Sequence, residues 1–204
     1  MKAVRIDGQT PGGKRQRLAD RLPLDTPFSI QVFPVYACNL ACAYCIHSVP
    51  LEERGFIAAK TVLDMGLYRK FIADLAEFPR PLKMLRFAGT GEPLLHPQIA
   101  AMVACAKEAG VAESLDIVTQ ELSAALVEAG LGRIRISLQG LSDEAYAYTK
   151  RAGIFQTLVE NISWLYAHRG DTKIYVKIMD CALADGEEAE FLRIFGDIAD
   201  FIAV

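Results

Sequence analysis

Ser29-Ile30-Gln31-Val32-Phe33-Pro34-Val35-Tyr36-Ala37-Cys38-Asn39-Leu40-Ala41-Cys42-Ala43-Tyr44-Cys45 decides how this chain is read. Ser29 to Val35 has strand character, and three cysteines follow at once on the loop that leaves it. From Phe28 onward, strand-like and helix-like segments alternate, the signature of βα units and a mainly parallel sheet. The further strand candidates are Lys83 to Ala88, Ser114 to Thr119, Arg133 to Leu138, Lys173 to Asp180 and Phe201 to Val204. Helical patterns lie between them at about Lys60 to Phe78, Pro97 to Ala109, Leu122 to Ala129, Ser142 to Tyr148 with Phe155 to His168, and Glu187 to Ala199. The expected fold is α/β, a partial (β/α)6 parallel barrel like part of a TIM barrel. Right-handed crossovers then put the loops after the strand C-termini on the functional face.

Residues 1–27 hold Gly8, Pro11, Gly12, Gly13, Pro23 and Pro27 among six basic side chains and are expected as a polar arm outside the barrel, which then spans 28–204. Two irregularities stand out. The chain stops on an apolar strand with no helix to cover it, the pattern of a fragment whose C-terminal region is absent. At Thr119-Gln120-Glu121-Leu122 a strand runs almost directly into a helix, so either the turn is abrupt or residues are missing between Gln120 and Glu121.

Composition narrows the function classes. The 204 residues are 52% hydrophobic and 23% charged, which suits one sizeable core and excludes a disordered chain. With 22 Lys and Arg against 25 Asp and Glu, the net charge is −3, so no basic surplus is available for a nucleic-acid backbone. No apolar run reaches the roughly 20 residues that span a bilayer, and the start of the chain is polar, so the expectation is a cytoplasmic protein without a membrane partner. Five cysteines, three of them within eight residues, suggest metal ligation in a reducing compartment and not a disulfide framework.

Three thiolates on one loop can hold three irons of a 4Fe-4S cluster, leaving the fourth iron open to an external ligand. The competing reading is a zinc site of Cys38, Cys42, Cys45 and His47, since zinc accepts three thiolates and an imidazole. His47 follows Cys45 more tightly than zinc modules usually allow, and no second knuckle supports it. Cys105 reads as a buried helix thiol, and Cys181, just past the fifth strand, as structural.

Further along, Gly89-Thr90-Gly91-Glu92-Pro93 closes the second strand; its glycines admit close backbone approach, and the Glu92 carboxylate suits a cationic amine. Alone, it is equally an ordinary turn. On the fourth strand Arg133, Arg135, Ser137 and Gln139 share one face and Ile134, Ile136 and Leu138 the other, so the polar set points into a cavity that receives polar ligands. Arg135 and Lys177 are candidate substrate-binding charges there.

The C-x3-C-x2-C spacing of Cys38, Cys42 and Cys45 with Tyr44, joined to the Gly89–Pro93 element about 45 residues later, resembles the radical S-adenosylmethionine (radical SAM) enzymes over about Phe28 to Val204. The resemblance implies a six-stranded part-barrel, a 4Fe-4S cluster on the three cysteines, and S-adenosylmethionine chelating the open iron. It implies that Gly89, Thr90, Gly91 and Glu92 hold the methionine amino group, and that Ser137 of Ser137-Leu138-Gln139-Gly140 contacts S-adenosylmethionine. Gln139 replaces the acid usual in that element. Arg151 resembles the arginine that binds the methionine carboxylate, and is otherwise a solvated helix-end charge. Tyr44 packs beside cluster and adenine, or simply anchors the loop. The implied chemistry is reductive cleavage of S-adenosylmethionine to a 5'-deoxyadenosyl radical that takes a hydrogen atom from a peptide, protein or sugar. An external electron donor such as flavodoxin or ferredoxin supplies the electron. The pattern from Arg133 to Asp180 looks most like the SPASM subfamily, whose C-terminal extension carries auxiliary clusters.

Overall fold

The computed structural model describes residues 1–6, 17–42, 44–55, 61–116, 120–147 and 153–204. In chain order its strands are β1 (Val4–Arg5), β2 (Ser29–Val32), β3 (Met84–Phe87), β4 (Glu113–Asp116), β5 (Arg133–Leu138), β6 (Lys173–Ile178) and β7 (Phe201–Ala203). They form one sheet in the order β1-β7-β6-β5-β4-β3-β2, and every named pair is parallel. The crossovers carry helices α1 (Met65–Asp74), α2 (Ile99–Glu108), α3 (Gln120–Glu128), α4 (Ile154–His168) and α5 (Glu187–Phe195).

Period-two alternation assigns the two faces of the sheet. Leu85, Phe87, Leu115, Ile134, Ile136, Leu138, Ile174, Val176, Ile178 and Ile202 are buried on the helix side. Against them pack Tyr68 and Ile72 from α1, Met102 and Val103 from α2, Leu126 from α3, Ile162 and Leu165 from α4, and Phe191 and Phe195 from α5. Tyr68 keeps its hydroxyl satisfied in this core by donating to the Met102 carbonyl at 2.9 Å. Asp64 caps α1, accepting from the Leu67 amide at 3.0 Å.

Several boundaries differ from the sequence expectation. The first strand ends at Val32, not Val35: Pro34 offers no N–H to a ladder, and Val35 instead bridges antiparallel to Val62. β3 is a residue shorter at each end than expected, and β6 stops at Ile178. β4 spans Glu113–Asp116 and α3 begins at Gln120; residues 117–119, where the sequence expectation continued the strand, lie outside the described residues. Ser142 to Tyr146 is a run of bends and turns and not an α-helix. Ser142 Oγ accepts from Ala145 N at 3.3 Å, and Asp143 Oδ1 accepts from Phe155 N at 2.9 Å, tying the turn to the start of α4.

The start of the chain needs a larger correction. Val4 and Arg5 pair with Phe201 and Ile202, so the first residues belong to the sheet and not to an arm outside it. Val4 N donates to Asp200 O and Ile6 N to Ile202 O, both at 2.9 Å, and Arg5 pairs with Glu188 on α5. Among the described residues no helix is long and apolar enough to cross a membrane.

Candidate functional site

The cysteine loop leaves the C-terminal end of β2, where parallel sheets of this kind carry their sites. Cys38, Cys42 and Cys45 are half-buried and in no disulfide among the described residues. Local bonds shape the loop: Leu40 N donates to Cys38 Sγ at 3.4 Å, Cys45 N to Cys42 O at 2.8 Å and Ser48 N to Cys45 O at 2.9 Å. Burial pushes the Cys38 thiol up to about 11; the Leu40 amide opposes this, while Glu92, Cys42 and Cys45 add to it. A cation beside these sulfurs reverses that preference, because a metal draws the proton off its thiol ligands.

Among the described residues no three Cys, His, Asp or Glu side chains converge as ligands of one ion would. His47 is instead tied elsewhere. It is 5% exposed, Arg54 Nη1 lies 3.2 Å from its Nδ1, and Arg54 Nη2 donates to its carbonyl at 2.7 Å. Burial, then the Arg54 charge, lower its pKa, with the Thr90 backbone opposing. Three thiols on one loop are the donor set of a cluster whose fourth iron has no protein ligand.

The Gly89–Pro93 turn packs directly onto this loop. A Cβ on Gly91, whose φ is +150°, would stand 2.0 Å from the Val35 carbonyl oxygen and 3.2 Å from that of Ala37. Glu92 N donates to Ala37 O at 2.8 Å, locking the two segments together. Within this structure, then, the glycine admits the backbone of the neighbouring loop. Glu92 is 4% exposed, and its Oε1 accepts from Leu94 N at 3.1 Å, capping a short 3-10 turn (Pro93–Leu95).

β5 supplies the opposite wall. The Tyr44 hydroxyl donates to Gln139 Oε1, joining the cysteine loop to the end of β5 across the site. Gln139 N in turn donates to the Tyr146 hydroxyl at 2.9 Å. Burial pushes Tyr146 up to about 12, opposed by the Gln139 amide, with Cys42 and Tyr44 adding to the rise. Sequence reasoning had not found Tyr146. Its only advance sign was a Tyr shortly after the Ser-Leu-Gln-Gly element. Gln139, expected on the cavity face of the strand and noted for lacking the acid's charge, is the residue that links both tyrosines.

Ser137 is half-buried and in register with Lys177. Cys181 is exposed just past β6, and Cys105 is a half-buried thiol on α2 packed against the core. Arg151 lies outside the described residues. The structure thus brings Cys38, Cys42, Cys45, Glu92, Tyr44 and Gln139 to one end of the sheet.

Residues 32–180 match the radical SAM superfamily. A GTP 3',8-cyclase of Chlorobaculum tepidum is 31% identical over 160 residues, covering 76% of this chain and 45% of the relative. A tungsten-containing aldehyde ferredoxin oxidoreductase cofactor-modifying protein of Pyrococcus furiosus is 32% identical over 108 residues, 51% of this chain and 28% of its own length. The chain therefore spans less than half the length of these curated relatives. Among solved structures, Streptococcus suis SuiB bound to its precursor peptide SuiA superposes with a TM-score of 0.68 at 13% identity, over 89% of this chain and 39% of that one. That likeness is one of fold, the part-barrel of parallel strands described above. With the cysteine loop, the glycine turn against it and the family match over most of its length, the chain belongs to the radical SAM superfamily, whose cofactors are a 4Fe-4S cluster and S-adenosylmethionine.

Proposed function

We propose that this chain is the core of a radical SAM enzyme in which Cys38, Cys42 and Cys45 each ligate one iron. Gly89, Thr90, Gly91 and Glu92 would receive the amino group of S-adenosylmethionine, Ser137 and Arg151 would contact the rest of it, and Tyr44 would border its adenine. The observation that carries this reading is the Glu92 N to Ala37 O bond, which seats the glycine turn against the cysteine loop within a matched family segment. When bound, the cofactors supply a one-electron cleavage of the sulfonium to methionine and a 5'-deoxyadenosyl radical, which becomes 5'-deoxyadenosine on taking a hydrogen atom from the substrate.

The residues have physical tasks in that scheme. Three thiolates leave one iron free of protein ligands. The buried Glu92 carboxylate, beside Cys38, offers negative charge to an ammonium group. The Tyr44–Gln139 bond ties the cysteine loop to the end of β5 and so holds the loop in position over the sheet. We place the enzyme in the cytoplasm, where its thiols stay reduced, with a flavodoxin or ferredoxin as electron donor and a peptide, protein or sugar as substrate.

Anaerobic purification with iron and sulfide analysis, followed by dithionite and S-adenosylmethionine, tests this. The expected result is a brown protein that releases 5'-deoxyadenosine, with iron and product both lost in Cys42→Ala. Undiminished iron and product in that variant would overturn it. Because relatives are named as GTP 3',8-cyclases, the substrate panel should include nucleotides beside peptides and sugars.

A further inference from the structure

The sheet face opposite the helices carries an unusual set of charges. Register lines up Gln31, Arg86, Ser114, Arg133 and Lys173 in one row across five strands. The next row toward the cysteine end is Asp116, Arg135, Tyr175, Phe201 and Val4, and above it lie Ser137, Lys177 and Ala203. These paired positions hold five cations and one acid, in a chain whose net charge is −3.

The middle of this face is shielded, while Gln31, Lys173 and Lys177 around it are exposed. Tyr175 is 1% exposed, and the Nε atoms of Arg133 and Arg135 are buried. The two guanidinium groups lie over the Tyr175 ring, at 5.9 Å for Arg133 and 5.0 Å for Arg135. Stacking accommodates their planes but leaves their edges unused, and neither Nε has a hydrogen-bond partner. Two like charges side by side, with buried donors unmet, form an arrangement that a bound anion relieves and that folding alone does not favour.

We propose that Arg133 and Arg135, stacked on Tyr175, form a binding site inside the part-barrel for an oxyanion, a phosphate or carboxylate group of the substrate. A guanidinium presents a fork of donors matched to such groups, and Lys177, exposed on the same face, adds charge nearer the mouth. Burial lowers the Arg133 pKa, with Arg135 adding to the effect and Tyr175 opposing, so a nearby anion favours its charged form. Arg135 stands four residues below Gln139 on the strand, about 13 Å at the usual rise. A substrate held there presents its reacting carbon toward the Tyr44–Gln139 contact and keeps its anionic group on the order of 10 Å deeper. This inference rests on reading the interior as the substrate chamber.

Calorimetric titration of the anaerobically purified protein with inorganic phosphate and, separately, malonate tests it. Saturable binding of either is expected, weakened at least tenfold in Arg133→Gln and in Arg135→Gln and unchanged in Lys83→Gln, whose ammonium lies over Phe28 outside this face. Stronger binding of phosphate assigns a phosphoryl group and stronger binding of malonate a carboxylate. Arg135→Lys keeps the charge but loses the fork and should fall between. Because the Nε atoms of both arginines are buried without a hydrogen-bond partner, melting temperatures without anion should hold or rise in the glutamine variants, so lost binding is not lost folding. No saturable binding by either anion, or binding undiminished in both variants, overturns the site. Iron content and S-adenosylmethionine binding, followed in parallel, should be unaffected in Arg135→Gln. Their absence in the wild type would overturn the enzyme reading while leaving the anion result standing.

Discussion

Replacing Gly91 by alanine probes the junction between the cysteine loop and the glycine turn. The new Cβ would meet the Val35 carbonyl oxygen at 2.0 Å, whereas ordinary contact begins at 3.4 Å, so the turn must withdraw by more than an ångström. Backbone at φ +150° costs a residue with a side chain about 1–3 kcal/mol. Withdrawal also stretches the 2.8 Å bond from Glu92 N to Ala37 O, worth about 1 kcal/mol net. Together these give a loss of about 2–4 kcal/mol, or roughly 5–15 °C in melting temperature for a chain of this size. Gly55→Ala is the matched control. Gly55 also has positive φ, at +60°, but a Cβ there meets nothing within 4 Å, so only the backbone cost of about 1 kcal/mol applies. Thermal unfolding followed by circular dichroism measures both variants, and iron content after reconstitution reports on the cysteine loop. Equal melting temperatures for the two, or full iron content in Gly91→Ala, would refute the claim that this glycine exists to admit the loop's backbone.

Two further predictions concern the hydrogen bonds described above. Tyr146→Phe leaves the part-buried Gln139 N–H without its acceptor and should cost about 1–3 kcal/mol in urea titration. Tyr44→Phe should cost less, about 1 kcal/mol or below, because Tyr44 is 64% exposed and water can replace it; the opposite ranking contradicts the account. At the far end of the sheet, the Arg80 guanidinium bonds Asp25 and holds its carboxyl below the usual 3.8. The folded-state pKa is depressed, so this pair's contribution is present above pH 3.8 and is lost as pH falls through the lowered value. Carboxyl titration by NMR should show the shift, and Arg80→Gln should abolish it.

The parts of this fold that local periodicity dictates were legible in the sequence. β5 runs from Arg133 to Leu138 as its strict alternation of polar and apolar residues requires, and its apolar half is buried while its polar half is half-buried. The cysteine loop was legible because three thiols in eight residues have few other uses. What escaped depended on distant partners. Val4 and Arg5 are a strand only because Phe201 and Ile202 lie beside them. The turn from Ser142 to Tyr146 looked helical by composition, while its own Ser and Asp side chains bind backbone amides. The Tyr44–Gln139 contact joins residues 95 apart, and the enclosure of Arg133 and Arg135 over Tyr175 needs the β5–β6 register.

The pairing of Val4 with Phe201 also sets a timetable during synthesis. The ribosome delivers Val4 first, yet its partner arrives only after almost two hundred more residues, about 10–40 s at ordinary elongation rates. Gly91, by contrast, follows the cysteines so soon that β2 and β3 can zip while β6 and β7 are still untranslated. The cysteine loop can therefore be seated well before Val4 and Arg5 find their berth at the opposite margin of the sheet.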